Sequence, residues 1–485
     1  MIGPLAALLM TASVPAAGPD LSHLDAPWCG AGHADGGEPR GRARPALSGE
    51  MFHVDSEDGF FRVHWTLEGE DRVDPADVDE DGVPDYVNRA LAGLEEGREL
   101  FGDLGYRALL PDDGVGGSTG LDAYIGDIDA FGYAYPLEIE PDTAPHTCFM
   151  QLDNAIDGQG DGVLTSVAVH ELHHCIQYTY TPFSADWLYE ATATFEQYRD
   201  RSSGALDAAL EFLWVFRLRD HDRPISATGD RYEYAGFLFL KFWEEFQADE
   251  PGREARRVPD LWEVVAENPR WDEALDVASR EVFDQSFDRT FLDFATWNLF
   301  ACSRSDGRHY DPTTFPCSLP NTSVPVEPLP SAEPLLIEHA EVRYTATFHE
   351  LAAEGDHDPI ELTCEGPGDG AVLRLRLLAI DGAGARGEHA DLTIRDAEGG
   401  VVRLDGSIDP AGAVALVAAS VGEAPPTAEC SVRRVAPVEP DGPPDEGGCT
   451  CNNGGTPRGS AAVAVWFVLL GLRARSRASR ASSSR

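Results

Sequence analysis

Positive charge is what this sequence lacks most: among 485 residues there are 37 Lys and Arg against 84 Asp and Glu, and Lys241 is the single lysine. The formal charge of -47 sets the chain against phosphate backbones, so nucleic acid is excluded as a partner. Long apolar runs are also missing. The N-terminal run stops near Met10 and the C-terminal one spans only Ala461 to Leu472, short of the roughly 20 residues a permanent membrane helix needs. The hydrophobic fraction of 42% is ordinary for a globular protein, and the length exceeds one typical core of about 100–200 residues, so two folded domains are expected.

Residues 1–17 read as a signal peptide, with small residues at Ala16 and Ala17 for cleavage, and 18–50 as a linker or pro-segment rich in Gly, Pro, Ala and Arg. Export places the nine cysteines in an oxidising compartment, where Cys302/Cys317 and Cys364/Cys430 are spaced to pair and Cys148/Cys175 is a further candidate. Folded sequence then begins with mixed aromatic and β-branched strands near Met51. A helical pattern runs from Tyr86 to Tyr106, strands are expected at Leu121 to Ile128 and Thr147 to Asn154, and a run of amphipathic helices reaches Leu299. This α+β stretch, 51–322, is one expected domain. The proline-rich 323–337 reads as an extended linker, and about seven short alternating strands in 338–437 predict a β-sandwich. A linker with a Cys motif follows at 438–459, then a short apolar segment and arginine-rich tail at 460–485, which suits transient rather than permanent membrane anchoring.

The chemistry concentrates in VAVHELHHCIQYTY, where His170, Glu171 and His174 form H-E-x-x-H. On a helix, residues four apart share a face, so two imidazoles converge on one ion with Glu171 beside them as general base. His173 lies close to the same face but lacks the adjacent glutamate in that register. Catalytic zinc takes three protein ligands and keeps one position open. Glu190, in the return helix DWLYEATATFEQ, is the expected third ligand, with Glu196 and Asp186 as alternatives; the small Ala191 and Ala193 would let the two helices pack closely. Tyr232, Tyr234 and His221 are candidate donors to a developing oxyanion.

A second cation motif lies upstream. DVDEDGVPDYVN sets Asp77, Asp79, Asp81 and Asp85 at the first, third, fifth and ninth positions of a calcium-type loop, with Gly82 at the turn and the Val83 carbonyl as a further donor. Asn88 stands where a bidentate Glu would close a full EF-hand. An acidic turn capping the following helix is the alternative.

The strings DEDGVPDYV, LDAYIGDIDAFGYAYP, CFMQLDN, HELHHCIQYTY and WLYEATATFEQ, in this order, resemble zinc metallopeptidases of myxobacterial surface proteins, which look like relatives of the thermolysin-like gluzincins. The resemblance covers about Phe52 to Asn298. It implies a thermolysin-like peptidase domain, His170, His174 and Glu190 as zinc ligands, Glu171 as base, and a peptide or protein substrate. Phe195 and Gln197 depart from the W-x-E expected in that helix. The GCTC motif, apolar segment and arginine cluster of the tail are similar to the sorting signal of the same bacteria, implying a cell-surface or secreted protein.

Overall fold

The computed structural model describes residues 30–31, 44–112, 114, 116–137, 145–156, 162–182, 185–199, 206–248, 257–268, 270–311, 323–328, 334–339, 343–352, 360–381, 384–404 and 413–434. The expected signal peptide, most of the pro-segment, and the Cys motif and tail of 438–485 lie outside the described residues. No helix among the described residues is long and apolar enough to cross a membrane.

The first half is a mixed sheet backed by helices. Its strands are β1 (Gly30–Ala31), β2 (Met51–Asp55), β3 (Phe61–Thr66), β4 (Leu121–Gly126), β5 (Gly132–Pro136) and β6 (Cys148–Asp153), in the order β1-β5-β6-β4-β3-β2. Helix α1 (Asp85–Leu104) provides the crossover between the parallel pair β3 and β4. It stops where Gly105 takes a φ of 87° and returns its N–H to the Phe101 and Gly102 carbonyls, a conformation only glycine reaches without strain. On its buried side, Gly93 and Gly97 let α1 approach α2 (Val163–Tyr180) closely: a Cβ on Gly93 would fall 2.9 Å from the Thr165 backbone. Helix α2 is buried on all sides, because it packs on α1 and also on β5 and β6.

Then come α3 (Asp186–Arg199), α4 (Leu206–Arg219), α5 (Tyr232–Ala235), α6 (Phe237–Glu245), α7 (Arg257–Glu267), α8 (Trp271–Phe283) and α9 (Phe287–Leu299). The helical run over EYAGFLFLKFWEEF is interrupted at Gly236, between α5 and α6. A Cβ there would sit 2.9 Å from Cβ of Ala191. Gly236 thus lets the junction of α5 and α6 approach Ala191 of α3, and an aromatic cluster from Phe237 to Trp243 fills the core beside it. Helices α7 and α8 were not among the expectations.

The C-terminal strands are β7 (Glu327–Pro328), β8 (Leu335–Glu338), β9 (Thr345–Ala352), β10 (Ile360–Cys364), β11 (Gly368–Asp381), β12 (Gly384–Asp396), β13 (Gly400–Leu404), β14 (Ala413–Ser420) and β15 (Thr427–Arg434). They form a four-stranded sheet, β13-β10-β15-β8, and a five-stranded sheet, β12-β11-β14-β9-β7. Leu335, Ile337, Ile360 and Leu362 of the first share a core with Leu373, Leu375, Leu377 and Leu416 of the second.

The structure runs across three of the boundaries read from sequence. The expected linker 323–337 contributes strands: β7 pairs with β9 and β8 with β15, since extended proline-bearing backbone suits sheet edges. Nor are the sheets a detached domain. Alternate residues of β14, Ala415, Val417 and Ala419, join Phe287, Phe291 and Phe294 of α9 in the main core, while Arg376 on β11 donates to Asp293 at 2.6 Å. A strand buried on both faces reads as a continuous apolar run, which AVALVAAS is. The chain to Pro437 is accordingly one compact unit. The end of the expected pro-segment is also built in: Arg44 bridges the buried carboxylates of Asp112 and Asp122.

Candidate metal centre

Helices α2 and α3 are antiparallel neighbours, and their packing brings Glu190 to the face bearing His170 and His174. Nε2 of His170 lies 3.1 Å from Nε2 of His174, and Oε2 of Glu190 lies 3.3 Å from the first and 3.6 Å from the second. All three residues are buried, and their ligand atoms lie within 4.8 Å of one another. Two imidazole nitrogens and one carboxylate oxygen converging on a point are a donor set that fits zinc.

The other ring nitrogens are held from behind. Nδ1 of His174 is 2.7 Å from Oε1 of Gln177, and Nδ1 of His170 is 3.1 Å from Oε1 of Gln197. An amide oxygen accepts only, so each Nδ1 carries its proton and each Nε2 turns a lone pair to the centre. Gln177 is in turn fixed, donating from Nε2 to the Tyr189 carbonyl at 2.9 Å and to Thr192 Oγ1 at 2.6 Å. Such second partners fix tautomer and ring orientation. Neither glutamine was read from the sequence as part of the site. Gln177 follows His174 by three residues on the same helical face, a signal that was available; Gln197 was noticed only as a departure from the expected pattern.

Electrostatics follow the same geometry. Burial would raise the Glu190 carboxyl, but the facing rings of His174 and His170 outweigh it and hold the group well below the ordinary carboxylate range. Burial pushes His170 down, only partly offset by Glu190. His174 is raised, because Glu190 and Glu171 together overcome its burial. The Glu190 carboxylate is therefore held in its ionised form in a dry setting, where the attraction of a carboxylate for a divalent cation is little screened.

Glu171 is fully buried beneath β5: a Cβ on Gly132 would lie 2.6 Å from Glu171 Cγ and 2.7 Å from its Oε1. Glycine at 132 is what permits strand and glutamate to approach. Neither this contact nor β5 itself was anticipated.

The remaining candidates are dispersed. Tyr234 comes near the cluster, its ring centroid 6.2 Å from that of His170. The hydroxyl of Tyr232 instead accepts from Arg217 and donates to the Asp220 carbonyl at 2.8 Å, which ties α5 to the end of α4. His221 packs on Phe348 of β9. His173 is wedged edge-on against Phe101 and Tyr106, and burial drives it well below its ordinary pKa, so it serves as a neutral core residue. Glu196 accepts from Tyr106 at 2.7 Å and from Arg199 at 2.7 Å, away from the histidines.

In the acidic loop, Asp77, Asp79 and Asp85 present oxygens within 4.8 Å of one another. Asp81 is not in this group: its carboxylate accepts from the Val83 N–H at 2.7 Å and from Asn88 Nδ2 at 3.0 Å. Gly82 and Asp81 donate their N–H groups to Asp77, closing the turn ahead of α1.

Two disulfides lie among the described residues, Cys148–Cys175 and Cys364–Cys430. The first joins β6 to α2 one residue past His174. Cys302 is also disulfide-bonded, and Cys317, its expected partner, lies outside the described residues.

No family model matches the chain, and no curated protein matches it. Among solved structures, it is similar over 21% of its length to a chain in a structure of infectious bursal disease virus strain Gx, at 13% identity and a TM-score of 0.14, spanning 27% of that viral chain.

Proposed function

We propose that this protein is an exported zinc-dependent metallopeptidase with a thermolysin-like catalytic region and a C-terminal β-sandwich. The observation that carries the reading is the meeting of His170, His174 and Glu190, from two helices, at 3.1 to 3.6 Å, with a buried glutamate next to the first histidine. Zinc bound there would supply Lewis acidity, polarising a peptide carbonyl and acidifying water. Glu171 would take a proton from the attacking water and return it to the leaving amine. Gln177 and Gln197 hold the histidines as neutral donors throughout. Tyr234 is the candidate hydrogen-bond donor to the substrate carbonyl because it is the one of the two tyrosines beside His170. The paired sheets around Leu375 and Leu416 support the sandwich, and the disulfides support export. A surface location, with a transient anchor in the tail, rests on the sequence alone.

A glutamate base separates this reading from a binding protein with a structural metal, which has no need of one. The deciding experiment is zinc content and casein cleavage of the purified protein beside Glu171→Gln. About one zinc in each and cleavage only by the unaltered chain is expected; zinc in both with cleavage in neither would leave the binding-protein reading standing.

The loop of Asp77, Asp79 and Asp85 supports calcium as a second, stabilising cation. Calcium should raise the melting temperature of the zinc-loaded protein, and Asp77→Asn should abolish that rise.

A further inference from the structure

Three histidines gather at the seam between the helical region and the paired sheets: His221 just after α4, His339 just after β8, and His349 on β9. His339 and His349 are buried. Nδ1 of His221, Nε2 of His339 and both ring nitrogens of His349 have no hydrogen-bond partner among the described residues. Buried polar atoms are normally paired, and an unpaired imidazole nitrogen is tolerable only while its ring is neutral. Packing does not call for imidazole here, since two positions after His349, on the same face of β9, Leu351 packs against the sandwich core.

The same seam fastens the chain between α4 and α5 to β9. The Ala346 N–H donates to the His221 carbonyl and the Ile225 N–H to the Tyr344 carbonyl, each at 3.1 Å. The His221 ring lies on Phe348, with centroids 5.0 Å apart. This segment runs directly into α5, and the Tyr232 hydroxyl donates back to the Asp220 carbonyl. Detaching it from β9 therefore loosens the support of Tyr234, whose ring stands beside His170.

Little countercharge faces the rings. Oε2 of Glu327, an exposed side chain on β7, is 3.7 Å from Nδ1 of His349, beyond hydrogen-bond reach. Asp222 and Arg217 act on His221 with opposite signs. Glu350, on the other face of β9 from His349, is already paired with Arg304 at 2.7 Å. Burial holds all three rings below the ordinary 6.5, and at His339 the other two histidines add to it and bring the value to about 3.

We propose that His221, His339 and His349 form an acid-opened latch: on taking up protons they release the segment from His221 to Arg231 from β9, and α5 with Tyr234 loses its support. The effect on cleavage rests on the peptidase reading; the opening does not. Above pH 6.5 the rings are neutral whether the seam is open or closed. As pH falls towards 3, the open form takes up protons that the closed form refuses, so opening becomes more favourable. One ring that titrates near 6.5 only when open shifts the opening equilibrium about thirtyfold between pH 7.5 and 5.0.

The test follows amide hydrogen exchange of the full chain, with free zinc supplied, at pH 7.5 and 5.0, expressed as protection factors so that the intrinsic pH dependence of exchange drops out. Protection at Ile225 and Ala346 should fall at least about thirtyfold at pH 5.0, while amides of α1 and α2 change less than about threefold. The double variant His339→Asn/His349→Gln should keep most of that protection; if it fails to fold, His349→Gln alone should recover part. Glu327→Gln, a change at an exposed side chain, should deepen the fall, because Glu327 favours a charged His349 in the closed form. Equal protection at the two pH values would overturn the latch, as would a parallel fall in α1 and α2 or no recovery in the histidine variants. At pH 5.0 the double variant should cleave a casein-derived peptide faster than the unaltered chain, and equal rates would overturn the link to Tyr234. A chain that cleaves at neither pH would sink the peptidase reading, with the exchange result still deciding the latch.

Discussion

Oε1 of Gln197 sits 3.1 Å from Nδ1 of His170, so the helix that delivers Glu190 to the centre also orients the histidine opposite it. Ligand and orienting group lie two turns apart on one element, and neither can shift alone. Gln197→Ala should leave the fold intact but free the ring to rotate and exchange tautomers. Loss of such a partner typically weakens metal binding about 10–100-fold. Zinc competition against a chelating dye measures this; an affinity equal to the unaltered protein would mean that packing alone fixes His170. Gln197→Glu should retain or strengthen binding, because a carboxylate accepts the same proton.

Gly132 offers a sharper probe of the base. Alanine is sterically allowed on a strand, yet its Cβ would meet Glu171 Cγ at 2.6 Å, closer than real Cβ atoms come. Either β5 lifts or Glu171 turns aside. Gly132→Ala is expected to keep bound zinc, since no ligand is touched, and to lower kcat at least about tenfold, a loss of more than roughly 1.4 kcal/mol of transition-state stabilisation. Full activity with normal zinc content would show that β5 gives way and Glu171 keeps its place.

The ligands were legible in the sequence because they are local: His170, Glu171 and His174 share one helical face, and Glu190 lies on the next helix. The extent of α1 was nearly legible as well: the expected helix ran from Tyr86 to Tyr106, and the structure ends it at Leu104, ahead of Gly105. What was not legible depends on contacts between distant residues. Gln197 looks like an ordinary helix polar residue until the rings are in place, whereas Gln177, three residues after His174, carried a local signal. Nothing local in GYAYP announces a strand over Glu171. The continuous apolar run AVALVAAS signals a strand buried on both faces, but only tertiary packing puts the face of Ala415 and Val417 on Phe291.

The Cys148–Cys175 bond ties β6 to the helix of the two histidines across a separation of 27 residues. By loop-closure entropy, a cross-link of that span stabilises by about 3–4 kcal/mol. The double variant Cys148→Ala/Cys175→Ala should lose about that much in urea unfolding of the metal-free protein. It should also release zinc faster, because local opening of α2 becomes easier. A stability change below about 1 kcal/mol would show that packing on α1 holds the helix unaided.

His339 gives the clearest pH prediction. Its ring is buried next to β8, with Nδ1 2.8 Å from Thr345 Oγ1, and burial together with the nearby His221 and His349 pushes its pKa from 6.5 down to about 3. Below pH 6.5 the unfolded chain takes up a proton that the folded one refuses. The stabilisation is therefore complete above that pH and is progressively lost as pH falls towards 3. His339→Asn can keep the bond to Thr345 without titrating in this window. His221 and His349 are also depressed by burial, and Glu327 partly offsets this at His349, so some acid sensitivity should remain in the variant. Melting temperatures of both proteins at pH 7.5 and 4.5 test this: the unaltered chain should lose more on acidification. Parallel losses would place its acid sensitivity elsewhere than in His339.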